Sequence, residues 1–422
     1  MSRFGIADAE IARLVCTVRA EAPPDQHAAD QAFGRAAWSL LAEPGDRAAG
    51  MLVTALDADD ALEALIRDES PESLARRMDP AGAADRTRLM KELDDGCSRW
   101  RPRLRSGDVV QAIVAAAATR TRLLLPDDAH WPRGVDDLGV HAPIALWVRG
   151  VDHALRGLSR SIALVGARAA SLYGEQIASD AASGLADRGL TIVSGAAYGI
   201  DGMAHRSALA SDGITVAFLA GGVDRFYPAG HDDLLSRIAS VGAVISELPC
   251  GSQPTKWRFL QRNRLIAASS QATVVLEAGW RSGSLNTAGH AAALGRPLGA
   301  VPGPITSVTS AGCHRLIRDY DAVCVTSVDE MLELLPDADP TASGPITSGA
   351  SATGTGSAGG SVVEPTSDEL RVLDALSSRS SRGVDEIARR SGLAVAVVAG
   401  VLGALDLDER ALNRGSGWIR GR

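Results

Sequence analysis

Short apolar segments recur at regular intervals through the middle of this chain, and this spacing constrains the fold more than any other feature. Each gap is roughly 20–27 residues long, enough for one crossover helix with its loops. Strands buried on both faces form continuous Val, Ile and Leu runs, and their alternation with helices is typical of parallel sheets. The sequence therefore predicts an α/β fold with a doubly wound, mostly parallel sheet. The segments are Ile162–Val165, Ile192–Ser194, Thr215–Leu219, Ala243–Ser246, Thr273–Leu276, Leu298–Val301 and Ala322–Val325.

The residues before this pattern have a different composition. They are rich in Ala, Leu, Asp and Arg, and their leucines recur at a spacing that suits one helix face, at Leu52, Leu56, Leu62 and Leu65. We predict a helical N-terminal domain over residues 1–108. The sheet domain then spans residues 109–335 and begins with a helix and two short strands, in the apolar runs 122–126 and 144–148.

The last part of the chain predicts a linker and a third domain. Residues 341–363 carry no charge and are dominated by Ser, Gly, Thr and Ala, which predicts a flexible linker over residues 336–365. Residues 366–422 are predicted to form three short helices and a β-wing, the order of a winged helix. These lie at Ser367–Leu376, Val384–Ser391, Ala394–Leu405 and Arg410–Trp418.

The charge composition decides which kind of binding site is possible. Lys and Arg number 43 against 51 Asp and Glu, a formal net charge of −8, which excludes a uniformly basic nucleic-acid-binding protein. Any site for a polyanion must therefore be local. The five cysteines are widely spaced without a C-x-x-C motif, so neither a disulfide framework nor a zinc site is indicated. Because no signal peptide or bilayer-spanning run is visible, we expect a cytoplasmic protein with no membrane association.

Glycine-containing turns follow the first two strands of the predicted sheet. One strand ends at Gly166, two residues before Arg168, and the next is followed by Gly195. Backbone N–H groups and helix N-termini at this edge of an open α/β sheet bind anions. A plain structural turn explains the glycines equally well, and a G-x-G-x-x-G dinucleotide motif is absent.

The densest basic segment of the chain follows the fourth strand. It contains Lys256, Arg258, Arg262 and Arg264 together with Asn263, and no acidic residue occurs between positions 250 and 276. Two aromatic residues, one of them Phe259, are interleaved in a chain that is only 4% aromatic. Cations neutralise phosphates and rings stack on bases, so the segment predicts a single-stranded nucleic-acid site, with a solvated basic loop as the alternative.

A hydroxyl-rich segment opens the helix after the fifth strand. Its hydroxyls and free N–H groups are phosphate ligands in some proteins and ordinary helix caps in others. No Ser/His/Asp combination or paired-carboxylate spacing stands out in the sequence. We therefore expect no catalytic residue, no metal and no cofactor. The candidate binding residues in this segment are Ser282, Gly283, Ser284 and Thr287.

The order of these blocks resembles the bacterial DNA-processing protein A family, also called DprA/Smf. The resemblance covers about residues 138–328. It implies an extended Rossmann-like domain that binds single-stranded DNA, forms a homodimer and has no enzymatic activity. It also implies protection of incoming DNA, displacement of single-strand-binding protein and loading of the RecA recombinase during natural transformation. The blocks are Ile162–Arg168, Ser194–Asp201, Tyr227–Pro228, Phe259–Arg264, Arg281–Thr287, Val301–Gly303 and His314–Ile317.

The resemblance also assigns roles to single residues. By similarity, Arg168 grips a phosphate and the neighbouring base, Lys256 contacts a phosphate, and Phe259 is a stacking surface. The chain departs from the family pattern at several positions, where hydroxyl, cationic or amide side chains are replaced. We expect weaker DNA binding than is typical of the family. The departures are Ala167, Tyr198, Leu260-Gln261, His231 and His314.

Two other functions remain open on the sequence. One is a Rossmann-like nucleotide-processing enzyme of the phosphoribohydrolase type, although the chain lacks that type's Pro-Gly-Gly-x-Gly-Thr loop. The other is a transcription factor that uses its winged helix. The predicted recognition helix, residues 394–405, contains only Ala, Val, Leu and Gly and offers no side-chain hydrogen bond to a base edge. We therefore expect no sequence-specific duplex binding by this domain, and an apolar helix fits a packing or partner surface better.

Overall fold

A nine-stranded sheet crosses the middle of the part of the chain that this computed structural model describes, residues 4–78, 83–336, 367–414 and 417–421. The strand order is β1-β2-β6-β5-β4-β3-β7-β8-β9. Neighbours among β3 to β9 are parallel, whereas β2 pairs antiparallel with β6 and with β1. The predicted doubly wound, mostly parallel α/β sheet is thereby confirmed. The strands are β1 (Arg122–Leu124), β2 (Leu146–Gly150), β3 (Ser161–Gly166), β4 (Thr191–Ser194), β5 (Thr215–Phe218), β6 (Ala243–Ser246), β7 (Ala272–Glu277), β8 (Leu298–Ala300) and β9 (Val323–Cys324).

Burial on both faces explains the apolar runs of the central strands. Every residue of β4, β5, β6 and β7 is buried, because helices cover the two faces of the sheet. The strand order changes direction at β3, which pairs with β4 on one side and with β7 on the other. Open α/β sheets bind ligands at the carboxyl ends of the strands beside such a point. The flanking helices are α8 (Asp152–Arg156), α9 (Leu172–Ala186), α10 (Ile200–Ala210), α11 (Asp232–Val241), α12 (Lys256–Ser269), α13 (Ser284–Ala293), α14 (Ala311–Asp319) and α15 (Val328–Leu332).

The N-terminal part is helical, as its leucine spacing predicts. Side-chain carboxylates of Asp25 and Asp46 cap α2 and α3, and the rings of Trp38 and Trp100 meet edge to face at 5.0 Å. The helices are α1 (Asp8–Cys16), α2 (Gln26–Leu41), α3 (Arg47–Leu56), α4 (Ala58–Ile66), α5 (Pro71–Arg77), α6 (Ala83–Trp100) and α7 (Ser106–Ala118).

The core of these helices continues into the sheet. Trp147 of β2 is fully buried in the same apolar cluster as Phe33, and its Nε1 donates to Ser39 Oγ at 3.1 Å. Leu219 and Val244, next to β5 and in β6, belong to that cluster as well. The N-terminal helices therefore cover one face of the antiparallel side of the sheet.

The C-terminal part is a winged helix, as predicted. It contains α16 (Ser367–Ala375), α17 (Val384–Ser391), α18 (Val395–Leu407) and a hairpin of β10 (Ala411–Asn413) with β11 (Trp418–Arg420). The apolar α18 buries Val398, Leu402 and Leu405 in the core of this domain. The predicted linker, residues 336–365, lies outside the described residues apart from Pro336.

The three parts meet around the carboxylate of Glu43. Its Oε1 accepts hydrogen bonds from Arg103 at 2.5 Å and from Arg258 of α12 at 2.8 Å. Arg103 also donates through Nε to the carbonyl of Arg389 in the winged helix, at 2.8 Å. One buried carboxylate thus links the N-terminal helices, α12 and, through Arg103, the winged helix.

Within the described ranges, no single helix is long and apolar enough to cross a bilayer. The helices α17 and α18 meet the length and composition criteria only together, as a pair bent by 105°.

Candidate nucleic-acid interface

A cleft of about 520 Å³ opens at the carboxyl ends of β3, β4 and β7. It lies where the sheet topology places ligands in folds of this class. Nine of the twelve candidate residues from the sequence line it: Gly166, Arg168, Phe259, Arg262, Asn263, Ser282, Gly283, Ser284 and Thr287. Gly195 lies in a small adjoining pocket that shares Phe259, and Lys256 and Arg264 line neither space.

The loop after β3 presents Arg168 at one wall of the cleft. The N–H of Ala167 donates to the carbonyl of Glu277 at 2.7 Å, and the carbonyl of Ala167 accepts from Ile200 at 3.1 Å. These two bonds fix the loop against β7 and α10. The side chain of Arg168 is exposed, forms no ion pair within the described ranges, and places Cζ 4.8 Å from the ring centroid of Phe259. The guanidinium therefore lies over an aromatic face and keeps its charge open to the cleft.

The start of α12 supplies Phe259 and Lys256. Thr255 caps this helix, with its hydroxyl accepting from the N–H of Arg258 at 3.2 Å. The side chain of Lys256 is exposed, and no acidic residue occupies the first turn. A helix N-terminus favours an anion, and at α12 a carboxylate of the winged helix already takes that place. The N–H of Lys256 donates at 2.7 Å to the carboxylate of Asp374 in the winged helix.

Two cations of the basic segment, Arg258 and Arg264, pair with carboxylates outside that segment, which the sequence does not reveal. Arg258 donates to Glu43 through Nε and Nη2, at 3.1 Å and 2.8 Å. Arg264 is 3% exposed and donates to Glu247 at 2.8 Å and to the carbonyl of His141 at 3.0 Å. Carboxylates elsewhere in the chain therefore already neutralise these two cations. Arg264 is one of the candidate binding residues from the sequence, and this pairing turns its charge away from a phosphate.

Arg262 lies beneath the cleft and holds its floor. Its Nη1 donates to the carbonyl of Gly195 at 2.7 Å and to that of Phe218. Burial lowers the pKa of Arg262 to about 10, against the opposing effect of Asp201, while the charge of Arg168 lowers it further. A side chain at position 195 would collide with this guanidinium, since a Cβ there would lie 2.5 Å from Cζ. A larger residue at that turn would displace the guanidinium from these hydrogen bonds.

Asp201 is a site residue that the sequence reasoning missed. Its carboxylate is buried and accepts the N–H groups of Gly195 at 3.1 Å and Ala197 at 3.4 Å. Burial raises the pKa of Asp201, against the lowering effect of Arg262 and of the backbone N–H groups. An acidic residue just after a glycine-rich turn, at the start of a helix, was the available signal.

Another part of the cleft wall is the segment at the start of α13. The hydroxyls of Ser282 and Ser284 lie 2.8 Å apart, and Asn263 Nδ2 donates to the carbonyl of Gly283 at 3.3 Å and to Asn286 at 3.2 Å. Ser282 is partly exposed and Gly283 exposed, whereas Ser284 and Thr287 are buried. Arg281, exposed on the same wall, was quoted in the hydroxyl-rich block but not selected from the sequence.

Glu277, at the end of β7, is engaged on both carboxylate oxygens. Oε1 accepts from the hydroxyls of Ser171 and Thr309, each at 2.6 Å, and Oε2 accepts from the N–H of Ser171 at 2.9 Å. The residue is 2% exposed. These bonds tie β7 to the start of α9. Across the described ranges, no group of three or more His, Cys, Asp or Glu side chains is placed to hold a metal ion.

Comparisons with known proteins agree with the fold. The family model of DNA recombination-mediator protein A matches residues 122–336, and that of the DprA winged helix domain matches residues 357–415. A putative DNA processing protein DprA of Mycobacterium tuberculosis (strain H37Rv) is 42% identical over 360 residues, covering 82% of this chain and 89% of that protein. Protein Smf of Escherichia coli (strain K12) is 44% identical over 194 residues, covering 46% of this chain and 51% of that protein.

A solved structure gives the same result. The X-ray structure of DNA processing protein A from Streptococcus pneumoniae is 28% identical, with a TM-score of 0.55, and the match covers 71% of this chain and 96% of that one. The resemblance seen in the sequence is confirmed, and a role in DNA processing and recombination follows from it. With a family model across half of the chain and a relative 42% identical over most of both proteins, the chain belongs to the DNA recombination-mediator protein A family.

Proposed function

We propose that this protein binds single-stranded DNA in the cleft at the carboxyl ends of β3, β4 and β7, without sequence preference. The observation that carries the proposal is the exposed guanidinium of Arg168 stacked on the ring of Phe259, at 4.8 Å. A charge and a ring side by side match a phosphate and the base attached to it. Neither group reads base edges, so the binding is sequence-tolerant.

The other candidate residues divide into contacts and supports. Ser282 and Gly283 offer a hydroxyl and the N-terminus of α13 to a second phosphate. Lys256 extends the positive surface beyond the cleft. The buried members hold these groups in place rather than touching DNA: Arg262, Asn263, Arg264, Ser284 and Thr287. Because the contacts are few and local, the net charge of −8 does not oppose binding.

A salt titration of oligo-dT binding tests this site. Replacing Arg168 and Lys256 with Ala together should weaken binding and reduce the slope of log K against log salt by about 1.4, at about 0.7 per phosphate contact. The matched control replaces Arg13 and Arg76, two exposed arginines on α1 and α5, with Ala. The control should keep the wild-type slope. Equal slopes for both double variants would contradict the site.

On this DNA, the protein is proposed to protect the strand and to load the RecA recombinase in place of single-strand-binding protein, during natural transformation or other recombination. The support is membership of a recombination-mediator family. Adding the protein should speed RecA filament formation on DNA coated with single-strand-binding protein. The Arg168→Ala/Lys256→Ala variant should not, and equal rates with and without the wild-type protein would contradict the role.

We further propose that the protein acts in the cytoplasm as a homodimer and without catalysis. The alternative of a phosphoribohydrolase-type enzyme needs a carboxylate free to act, and Glu277 has both oxygens engaged by Ser171 and Thr309. Incubation with nucleoside monophosphates should release no free base. Release of free base by the wild type that is lost when Arg168 is replaced with Ala would favour the enzyme. Sedimentation velocity should give twice the mass of the 43.7 kDa chain.

A further inference from the structure

Two half-exposed tyrosines stand beside the cleft. Tyr198 and Tyr227 are each 49% exposed, in a chain with four Tyr and five Phe. They follow adjacent strands, Tyr198 in the loop after β4 and Tyr227 in the loop after β5. Two of the four tyrosines therefore lie at the same edge of the sheet as Phe259.

Tyr227 adjoins the ring already assigned to stacking. Its ring centroid is 5.7 Å from that of Phe259, with the planes tilted by 55°. Both residues line the small pocket that contains Gly195 and continues the cleft towards the end of β5. A strand of DNA that leaves Phe259 in this direction meets Tyr227 next.

Tyr198, in the loop after β4, is held next to residues that line the cleft. Its neighbour Ala197 lines the cleft, and its other neighbour, Gly199, lies against the loop of Arg168 so closely that a Cβ would be 2.6 Å from the Arg168 carbonyl. The hydroxyl of Tyr198 accepts the N–H of Gly230 at 3.3 Å. Its ring meets His231 edge to face, at 4.9 Å and 70°.

These contacts order the two rings without covering them. An exposed tyrosine that touches nothing rotates freely and loses that freedom on stacking, whereas a ring held on one side loses less. Every base has a π-face, so a row of fixed rings binds single strands of any sequence. Rings without charge add affinity that does not depend on salt.

We propose that Tyr198 and Tyr227 are additional base-stacking positions, which carry the single-stranded DNA path from Phe259 across the ends of β4 and β5. This inference rests on the proposed function of the cleft. It assigns to two uncharged residues a share of the affinity that the phosphate contacts do not supply.

The test replaces each tyrosine with Leu and, as the matched control, with Phe. On oligo-dT, each Leu variant should bind about 5- to 150-fold more weakly, the range for loss of one stacked base, with an unchanged salt slope. The Phe variants keep the ring and should bind within about twofold of wild type. Thermal melts identify any Leu variant that is merely less folded.

An abasic oligonucleotide separates stacking from structural effects. It keeps the phosphates and removes the partner of each ring, so the difference between wild type and the Leu variants should disappear. Leu variants that match wild type on oligo-dT, or a loss that persists on abasic DNA, would overturn the stacking role while Arg168-dependent binding stands. Absence of wild-type binding to oligo-dT would instead refute the proposed function, and this inference with it.

Discussion

Replacing Glu43 with Gln should weaken the contacts that join the N-terminal helices, α12 and the winged helix. The substitution keeps the shape of the side chain and removes the carboxylate that pairs with Arg103 and Arg258. The side chains of these arginines are only 6% and 12% exposed, so both keep a buried charge without a counter-ion. Removing one partner from a buried ion pair costs about 3–5 kcal/mol. Since Arg103 also holds the carbonyl of Arg389, we expect the docking of the winged helix to weaken.

The assay is urea unfolding at pH 7, followed by tryptophan fluorescence. Trp257 of α12 reports directly on the contact between α12 and the winged helix, because the guanidinium of Arg371 from the winged helix lies 5.4 Å from the centroid of its ring. The matched control is Glu92→Gln, which removes a more exposed carboxylate that pairs with Arg47 and is expected to cost about 0–1 kcal/mol. A loss for Glu43→Gln no larger than for the control would refute the reasoning.

The same carboxylate predicts a pH dependence. Burial opposes the ionisation of Glu43, but the charges of Arg258 and Arg103 outweigh it and hold the pKa of this carboxyl well below its usual range. A depressed folded-state pKa gives stability that is present above the unfolded pKa of about 4.3 and is lost as the pH falls below it. Wild type should therefore lose stability more steeply than Glu43→Gln between about pH 5 and pH 3. Parallel curves would contradict the pairing.

Three further outcomes are expected. Asp201→Asn should lower the free energy of unfolding by about 1–3 kcal/mol, because the buried N–H groups lose a charged acceptor and the buried Arg262 loses a nearby negative charge, and urea titration measures the loss. Trp147→Ala should cost about 3–5 kcal/mol in the same titration, since the ring is fully buried between the N-terminal helices and the sheet, and Trp147→Phe should cost less. Ellman's reagent at pH 8 should modify the exposed thiols of Cys16 and Cys324. It should spare the buried thiols of Cys97, Cys250 and Cys313, whose pKa burial raises, until denaturant is added.

The sheet was predictable because burial on both faces leaves a local signature. Each predicted apolar segment overlaps a strand, and for β6 the predicted bounds Ala243–Ser246 are those observed. The antiparallel pairing of β2 with β6 was not predictable in the same way. The register that joins Trp147 to Ser246 depends on two segments about a hundred residues apart, and neither carries a local mark of its partner.

In the candidate site, too, features that depend on neighbouring residues were predictable from the sequence, and contacts between distant residues were not. Glycine turns and a hydroxyl-rich helix start mark strand ends locally, and they led to the cleft. The pairing of charges is not local. Arg258 meets Glu43 across 215 positions of sequence, so a count of cations in one segment overstates what is open to a phosphate. Tyr227 and Asp201 were quoted in the sequence blocks, but their contacts became visible only in three dimensions.

The core shared by the N-terminal helices and the sheet has a consequence for synthesis of the chain. The helices leave the ribosome first, but the apolar face they pack against includes Val244 of β6. Ser246 follows the end of α7 by about 130 residues, so it emerges roughly 6–26 s later at about 5–20 residues per second. During that interval the helices expose an unfinished hydrophobic surface, which chaperones bind. The first third of the nascent chain therefore reaches its final stability only after the sheet has formed.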